Sequence, residues 1–348
     1  MDKYERVEEL KNCDFVKTVL MLLVVLYHSC RFWNYNWNVF LPIPELDISV
    51  VSQMVIEWSN TWRIYAFTLV SGYLFYHLRY EKDRYSVFWS FLQKKIQRLL
   101  VPAYFVGMVW VVPIYVYFCG DSANSILNFV LGIKAVQQLW FLFMLFDVFM
   151  MAYIIGENVH DNRLCWFITI FVYFIGFVGR KFIPNVYQLW TACYYFPLFV
   201  VGMKLREGCL NFLRDVPLLI WVLCDICLFV ITRALSGPQV FLVKVANVVF
   251  LRLAVHIVGA LMAFFILQKI ASLYSWEDSK LFMFLKRHNV TVYLFHEQVI
   301  YFVIIWLNGV INPYLHMGLN YVISLSCALL VAVVLAKFRI TRFLIGMK

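Results

Sequence analysis

Ten apolar blocks separated by short polar connections dominate this chain. They fall near residues 16–33, 50–77, 100–120, 139–156, 163–179, 187–203, 216–234, 248–268, 289–308 and 318–336. A helix needs about 20 predominantly apolar residues to cross a bilayer, and the blocks are of that order. Composition agrees: 63% of the 348 residues are hydrophobic and 14% charged, against about 45–50% and about 25% in an ordinary globular domain. A soluble fold of this size has no interior large enough for the excess. A secreted disulfide scaffold, a disordered chain and nearly every soluble class are thereby excluded. The expectation is an all-α polytopic membrane bundle of about ten transmembrane helices, forming one domain over 1–348. The block 50–77 is long, and is expected to tilt or to begin as a re-entrant piece. The weakest boundaries are 156–163 and 179–186, so eight or nine spans are the alternative counts.

Charge supplies an independent check. The formal net charge is +10, from 30 Lys and Arg against 20 Asp and Glu. Most of the basic residues lie between apolar blocks, which points to orientation and anionic lipid rather than to nucleic acid. With ten spans and both termini on one side, that side holds 21 of the 30 and the other side 6, with Lys17, Arg63 and Arg252 inside blocks. The positive-inside rule then expects both termini in the cytoplasm. The first block follows a mixed acidic and basic segment and has no small-residue cleavage site, so it is expected to be a retained helix.

Nine cysteines are scattered in or beside apolar blocks. Cys224 and Cys227 form a CxxC without a second ligand pair, and read as small buried hydrophobes rather than as a metal or redox site. Walker A, dinucleotide, HExxH and GxSxG patterns are absent, and no metal is expected. Chemistry must occur within the membrane or at its edge.

Ionisable residues inside spans are costly and are functional candidates. Lys17 and His28 are 11 residues apart, so they share one helix face about 16 Å apart along the axis. Lys17 could instead snorkel to headgroups, and His28 could be a packing histidine. Glu57, Asn60 and Arg63 follow at successive i,i+3 steps and form a polar stripe. Arg252 and His256 are an i,i+4 pair expected at similar depth; the plainer reading takes Arg63 and Arg252 to outer headgroups. His296 and Glu297 are adjacent, point about 100° apart and must each find a partner on another helix. Asp147 and Asp225 read as helix–helix contacts.

The order of segments resembles the membrane-bound acyltransferase 3 family, which includes bacterial polysaccharide O-acetyltransferases. Cys13-Asp14-Phe15-Val16-Lys17 through Leu26-Tyr27-His28-Ser29 is similar to its first-helix motif, a basic residue and a histidine with ten residues between them. Arg63 through Phe75, with Ser71-Gly72, resembles its arginine, phenylalanine-rich stretch and Ser-Gly. Lys94-Lys95-Ile96-Gln97-Arg98-Leu99-Leu100-Val101-Pro102 resembles its basic loop running into a proline. Leu139-Trp140-Phe141-Leu142 and Val292-Tyr293-Leu294-Phe295-His296 complete the set. One departure is Phe143, where the family commonly has Arg after Leu-Trp-Phe-Leu; Arg63, Arg180 or Arg252 would have to substitute, or the acceptor differs.

The resemblance implies transfer of an acyl group, acetyl first among them, from cytoplasmic acyl-CoA to a hydroxyl of an envelope saccharide or glycolipid in the bacterial cytoplasmic membrane. It also implies that His28 is essential. Such a transfer needs a base, an oxyanion donor and a held thioester. The expected catalytic set is His28 as base, Glu57 as its orienting carboxylate and Arg63 as a source of positive charge. Arg252, His256 and His296 are expected to bind the acceptor. Lys17, Lys94, Lys95 and Arg98 are expected to meet the coenzyme phosphates, and the Lys17–His28 separation matches the reach of a pantetheine arm. Direct transfer and an acyl-histidine relay both stay open. The rival class is a secondary transporter or flippase for an envelope glycolipid, for which an internal repeat would speak; none is evident.

Overall fold

The computed structural model describes residues 3–35, 37, 41–119, 122–133, 137–237 and 240–347. Lys134 and Lys348, both counted in the basic split, lie outside the described residues. Every regular element among the described residues is helical. The first helix, α1, runs unbroken over Lys3–Cys30. The long second block is two helices, α2 (Val50–Asn60) and α3 (Arg63–Tyr76), of 11 and 14 residues. They part at Thr61 and Trp62, where the Thr61 hydroxyl donates to the Trp58 carbonyl at 2.7 Å.

Helices α4 (Phe88–Lys95), α5 (Val101–Val106) and α6 (Val112–Cys119) are joined end to end by π-helical turns at Ile96–Leu100 and Gly107–Val111. Then follow α7 (Ser122–Val130), α8 (Trp140–Ile155), α9 (Asn162–Phe182), α10 (Leu189–Glu207) and α11 (Leu218–Ala234). A further π-helical turn, Asn247–Leu251, joins α12 (Phe241–Ala246) to α13 (Arg252–Leu273), and another, His77–Glu81, follows α3. The chain continues through α14 (Lys280–Leu307), α15 (Pro313–Leu335) and α16 (Arg339–Leu344).

The boundaries follow from local chemistry. Gly156 ends α8 with φ +55°, a conformation that costs glycine no Cβ clash. The Asp161 carboxylate caps α9 by accepting from the N–H groups of Arg163 at 2.9 Å and Leu164 at 3.1 Å. Asn312 caps α15 through the Tyr314 N–H at 2.9 Å, with Pro313 in the first turn, where its missing N–H costs nothing.

Seven helical stretches among the described residues are long and apolar enough to cross a membrane: Val7–Asn34, Phe88–Phe118, Gln137–Val159, Asn162–Phe182, Phe241–Leu273, Lys280–Leu307 and Pro313–Leu335. The other three of the ten blocks are helical too, but fall short for separate reasons. The second is broken between α2 and α3. Helix α11 has only 17 residues. Helix α10 has 19, but Lys204, Arg206 and Glu207 dilute its apolar run.

The chain divides into two compact units, each assembled from three separate stretches. Unit 1 comprises Met1–Leu23, Met54–Arg84 and Pro197–Lys286. Its core is built on close helix crossings. A Cβ at Gly72 of α3 would run into the Phe199 carbonyl, and one at Gly202 of α10 into the Leu69 carbonyl, so the two backbones meet across paired glycines. Small residues permit this close approach where lipid offers no hydrophobic drive between helices. Unit 2 comprises Val24–Gln53, Tyr85–Phe196 and Arg287–Lys348. Its core contains Phe91, Phe129, Met144, Val292, Leu294 and Tyr301, each essentially without exposed surface.

Candidate active site

In unit 2 the end of α1 meets the middle of α14. His28 Nδ1 lies 2.9 Å from His296 Nε2 and 3.5 Å from Glu297 Oε2. The two imidazole planes differ by 15°, with centroids 5.0 Å apart. His296 is fully buried and Glu297 is 2% exposed, whereas the His28 side chain keeps 12% exposure. His28 is therefore the member of the group that a substrate can still reach.

Helix geometry explains how neighbours in sequence both serve one partner. His296 folds back along its own helix, with Nδ1 at 3.0 Å from the Val292 carbonyl and 2.9 Å from the Tyr293 carbonyl. That leaves its Nε2 facing His28. Glu297, one residue on, reaches the same His28 nitrogen with Oε2, while its Oε1 accepts from the Tyr301 hydroxyl at 2.8 Å. Arg31, one turn beyond His28, acts electrostatically on Glu297 and lies 6.0 Å over the Trp37 ring. Trp37 in turn sits edge-on to Tyr301 at 5.8 Å.

A buried amide pair braces this part of α14. Gln138 and Gln298 exchange hydrogen bonds of 2.9 and 3.0 Å, and Gln138 also donates to the Leu294 carbonyl at 2.8 Å. The Tyr293 hydroxyl donates to the Gln138 carbonyl. Leu139-Trp140-Phe141-Leu142 thus directly follows a residue, Gln138, that is anchored to the Val292–His296 segment. Behind α1, Asn320 of α15 donates to the Ser29 carbonyl at 3.1 Å. The site is held from three elements, and apart from Asn320 Oδ1 the side chains that brace it are hydrogen-bonded.

The remaining residues singled out in the sequence fall elsewhere. Glu57 forms an ion pair with Arg233 in unit 1, so the carboxylate the structure sets beside His28 is Glu297. Arg63 is buried in unit 1 and donates to Asn60 Oδ1 at 2.9 Å. His256 bonds the Thr61 carbonyl at 2.7 Å and stacks on Tyr65 at 3.7 Å; Arg252, on the same helix, is exposed. Lys17 pairs with Asp14 at 3.2 Å. Lys94 and Arg98 are exposed, but Lys95 is buried, its ammonium 3.1 Å above the Phe149 ring and 5.2 Å from that of Tyr85.

Unit 1 also contains a polar network that the sequence did not announce. Arg206 grips Glu81 with two bonds of 2.6 and 2.7 Å and donates to the Tyr73 hydroxyl at 3.0 Å. Tyr73 donates to Glu9, which also receives Arg214 at 2.9 Å. His77 bonds Glu81 at 2.7 Å. A cleft of about 750 Å³ beside Glu9 and Arg214 is also lined by Asn12, Gln268 and Lys269. No group of three or more His, Cys, Asp or Glu among the described residues is placed to hold a metal ion.

A family model described as an acyltransferase domain matches residues 10–337, which include both ends of the His28–His296–Glu297 group. The chain belongs to the membrane-bound acyltransferase 3 family. Acyl transfer is the reaction class that this membership carries. Searches of curated proteins and of solved structures each found no match.

Proposed function

We propose that this acyltransferase 3 protein is a membrane O-acyltransferase that moves an acyl group, acetyl first among them, from cytoplasmic acyl-CoA to a hydroxyl of an envelope saccharide or lipid-linked saccharide. The observation that carries the reading is the partly exposed His28, whose Nδ1 faces His296 Nε2 at 2.9 Å and the Glu297 carboxylate at 3.5 Å. An imidazole oriented on one nitrogen and still partly exposed is the arrangement a general base needs.

The steps balance without a further reactant. His28 takes the proton of the acceptor hydroxyl as that oxygen attacks the thioester carbonyl. The developing imidazolium is compensated by Glu297, which in this reading takes the orienting role expected of Glu57. Collapse of the tetrahedral oxyanion breaks the carbon–sulfur bond, and the leaving thiolate recovers the proton from His28. The products are an ester and coenzyme A thiol.

Lys94 and Arg98, exposed one turn apart, are proposed to meet the coenzyme phosphates, with Lys17 as a further contact. Lys95 serves them by holding the segment in place. Arg63, Arg252 and His256 are proposed as acceptor-side groups of unit 1. Ten spans in one domain and residence in the bacterial cytoplasmic membrane belong to the same proposal, and on that span count the basic split favours both termini in the cytoplasm.

The test is turnover by purified protein supplied with acyl-CoA and candidate acceptors, reading thiol release and acylated product. His28→Ala should retain acyl-CoA binding and lose about 10²–10⁴ in rate, the usual contribution of a general base. Wild-type turnover in that variant would end the proposal for His28.

A further inference from the structure

We propose that His296 is the positioning residue of this site: its Nε2 accepts the Nδ1 proton of His28 and so holds His28 in the tautomer whose base nitrogen is Nε2. The inference rests on the reading of His28 as the base.

The proton positions follow from what each neighbour can do. His296 Nδ1 stands 3.0 and 2.9 Å from the carbonyl oxygens of Val292 and Tyr293. Carbonyl oxygens only accept, so that nitrogen carries the hydrogen. A neutral imidazole has one N–H, so His296 Nε2 bears the lone pair. It lies 2.9 Å from His28 Nδ1, which must therefore be the donor. The second group facing His28 Nδ1, Glu297 Oε2 at 3.5 Å, is an acceptor as well when the carboxyl is ionised. Both neighbours place the hydrogen on Nδ1 and the lone pair on Nε2 of His28. An unconstrained histidine in water favours the opposite tautomer, so the orientation has to be imposed.

Helix α14 imposes it with its own backbone. The two carbonyls lie four and three residues before His296, so the lock is set by the helix that carries the residue. Glu297 alone would not suffice: at 3.5 Å it is beyond a good hydrogen bond, and its other oxygen is committed to Tyr301. A carboxylate there supplies charge, while His296 supplies direction. Among the described residues of unit 2, the other titratable or charged groups near the pair include Tyr27, whose ring is 5.7 Å from that of His28, Tyr293, whose ring is 6.1 Å from that of His296, Tyr301 on Glu297, and Arg31, acting through Glu297.

The experiment is ¹⁵N-histidine NMR on the full-length protein in nanodiscs, with steady-state kinetics on the same samples. His28 signals are assigned by their loss in His28→Asn. Wild type should show a protonated Nδ1 and an unprotonated Nε2 at His28. His296→Phe keeps bulk but removes the acceptor, and should shift His28 toward the other tautomer. His296→Gln presents a carbonyl near the position of Nε2, and should retain the wild-type tautomer. Loss of the productive tautomer costs up to about 10⁴ in a hydrogen-bonded triad. The expected fall in kcat is therefore at least about 10²-fold for Phe and within about tenfold for Gln, with acyl-CoA KM little changed.

A wild-type His28 protonated on Nε2 overturns the proposal, and that spectrum needs no variant to fold. So does an unchanged tautomer in folded His296→Phe. Equal loss of kcat in both variants without a tautomer change would make His296 structural and also overturn it. If the tautomers behave as expected but wild type transfers no acyl group, the positioning role stands and the base reading of His28 falls.

Discussion

At the scale of single residues, what separates the groups near His28 from the other buried charges is a shared target. Glu297 and His296 converge on one nitrogen of His28, while Glu57 is committed to Arg233. Glu297→Gln should keep the shape of the site and remove its negative charge. Opposite charges about 4 Å apart attract by up to about 4 kcal/mol at an effective dielectric of about 20, so kcat should fall by at least about tenfold with acyl-CoA KM unmoved. Steady-state kinetics on folded variant protein checks this, and a wild-type kcat would remove Glu297 from the mechanism. The two adjacent lysines of the basic segment should separate equally clearly. Neutralising Lys94 together with Arg98 should raise acyl-CoA KM through lost phosphate contacts. Lys95→Met should instead leave KM alone and lower thermal stability, because its ammonium sits on the Phe149 ring, a contact worth roughly 0.5–2 kcal/mol. A raised KM in Lys95→Met would return that lysine to the donor site.

At the scale of elements, two of the motifs turn out to be about packing and bracing. Ser71-Gly72 ends a recognisable sequence stretch, and the structure gives Gly72 a steric task against the Phe199 carbonyl of α10. Backbone cannot yield as a flexible side chain can, so Gly72→Ala should destabilise the protein by roughly 1–3 kcal/mol, as overpacking does. Thermal unfolding in detergent reads it, and an unchanged Tm would mean that α3 and α10 can separate at no cost. The loop-like basic residues Arg206 and Arg214 are likewise structural ties between elements. Burial disfavours the charged form of Glu81, but hydrogen bonds from Arg206 and His77 outweigh it and hold its pKa below the ordinary 4.5. A depressed folded-state pKa contributes stability that is present above the unfolded value and lost as pH falls through the folded one. Wild-type thermal stability should therefore fall more steeply than that of Glu81→Gln once the pH drops below about 4.5. Identical slopes would show that the Glu81–Arg206 tie does not contribute to acid sensitivity.

At the scale of the whole molecule, the open quantity is how the helices cross the membrane. The 21 to 6 division of basic residues assumes ten spans, and seven stretches among the described residues meet the length and composition of a span. The three short cases, α2 with α3, α10 and α11, all carry polar groups or breaks, and contacts within the protein satisfy some of them. Trp58 of α2, for example, donates to the buried Asp225 of α11 at 2.6 Å. Helices covered by neighbours need not be apolar along their full length. Reporter fusions after residue 40 and after residue 125 are expected outside, and a fusion at residue 348 inside. A periplasmic C-terminus would reject the ten-span arrangement.

Apolar run length alone determined that the chain is helical and membrane-embedded, because hydrocarbon tolerates few charges over about 20 residues. The same cost made His28, Arg63, His256, His296 and Glu297 visible as candidates before any coordinates were considered. Partnership was not visible, because it depends on which faces of distant helices come together. His296 and Glu297 point about 100° apart on one helix, and they become a unit only when α1 supplies His28 between them. In the sequence Arg206 counts only as one of the cytoplasmic-side basic residues, and Lys95 reads as a contact for the coenzyme phosphates. Their true surroundings come from Glu81 and Phe149, which are 125 and 54 residues away. The break between α2 and α3 was hidden for the same reason: Glu57, Asn60 and Arg63 fit one face of a continuous helix, while the hydrogen bonds that interrupt the helix are a property of the folded backbone.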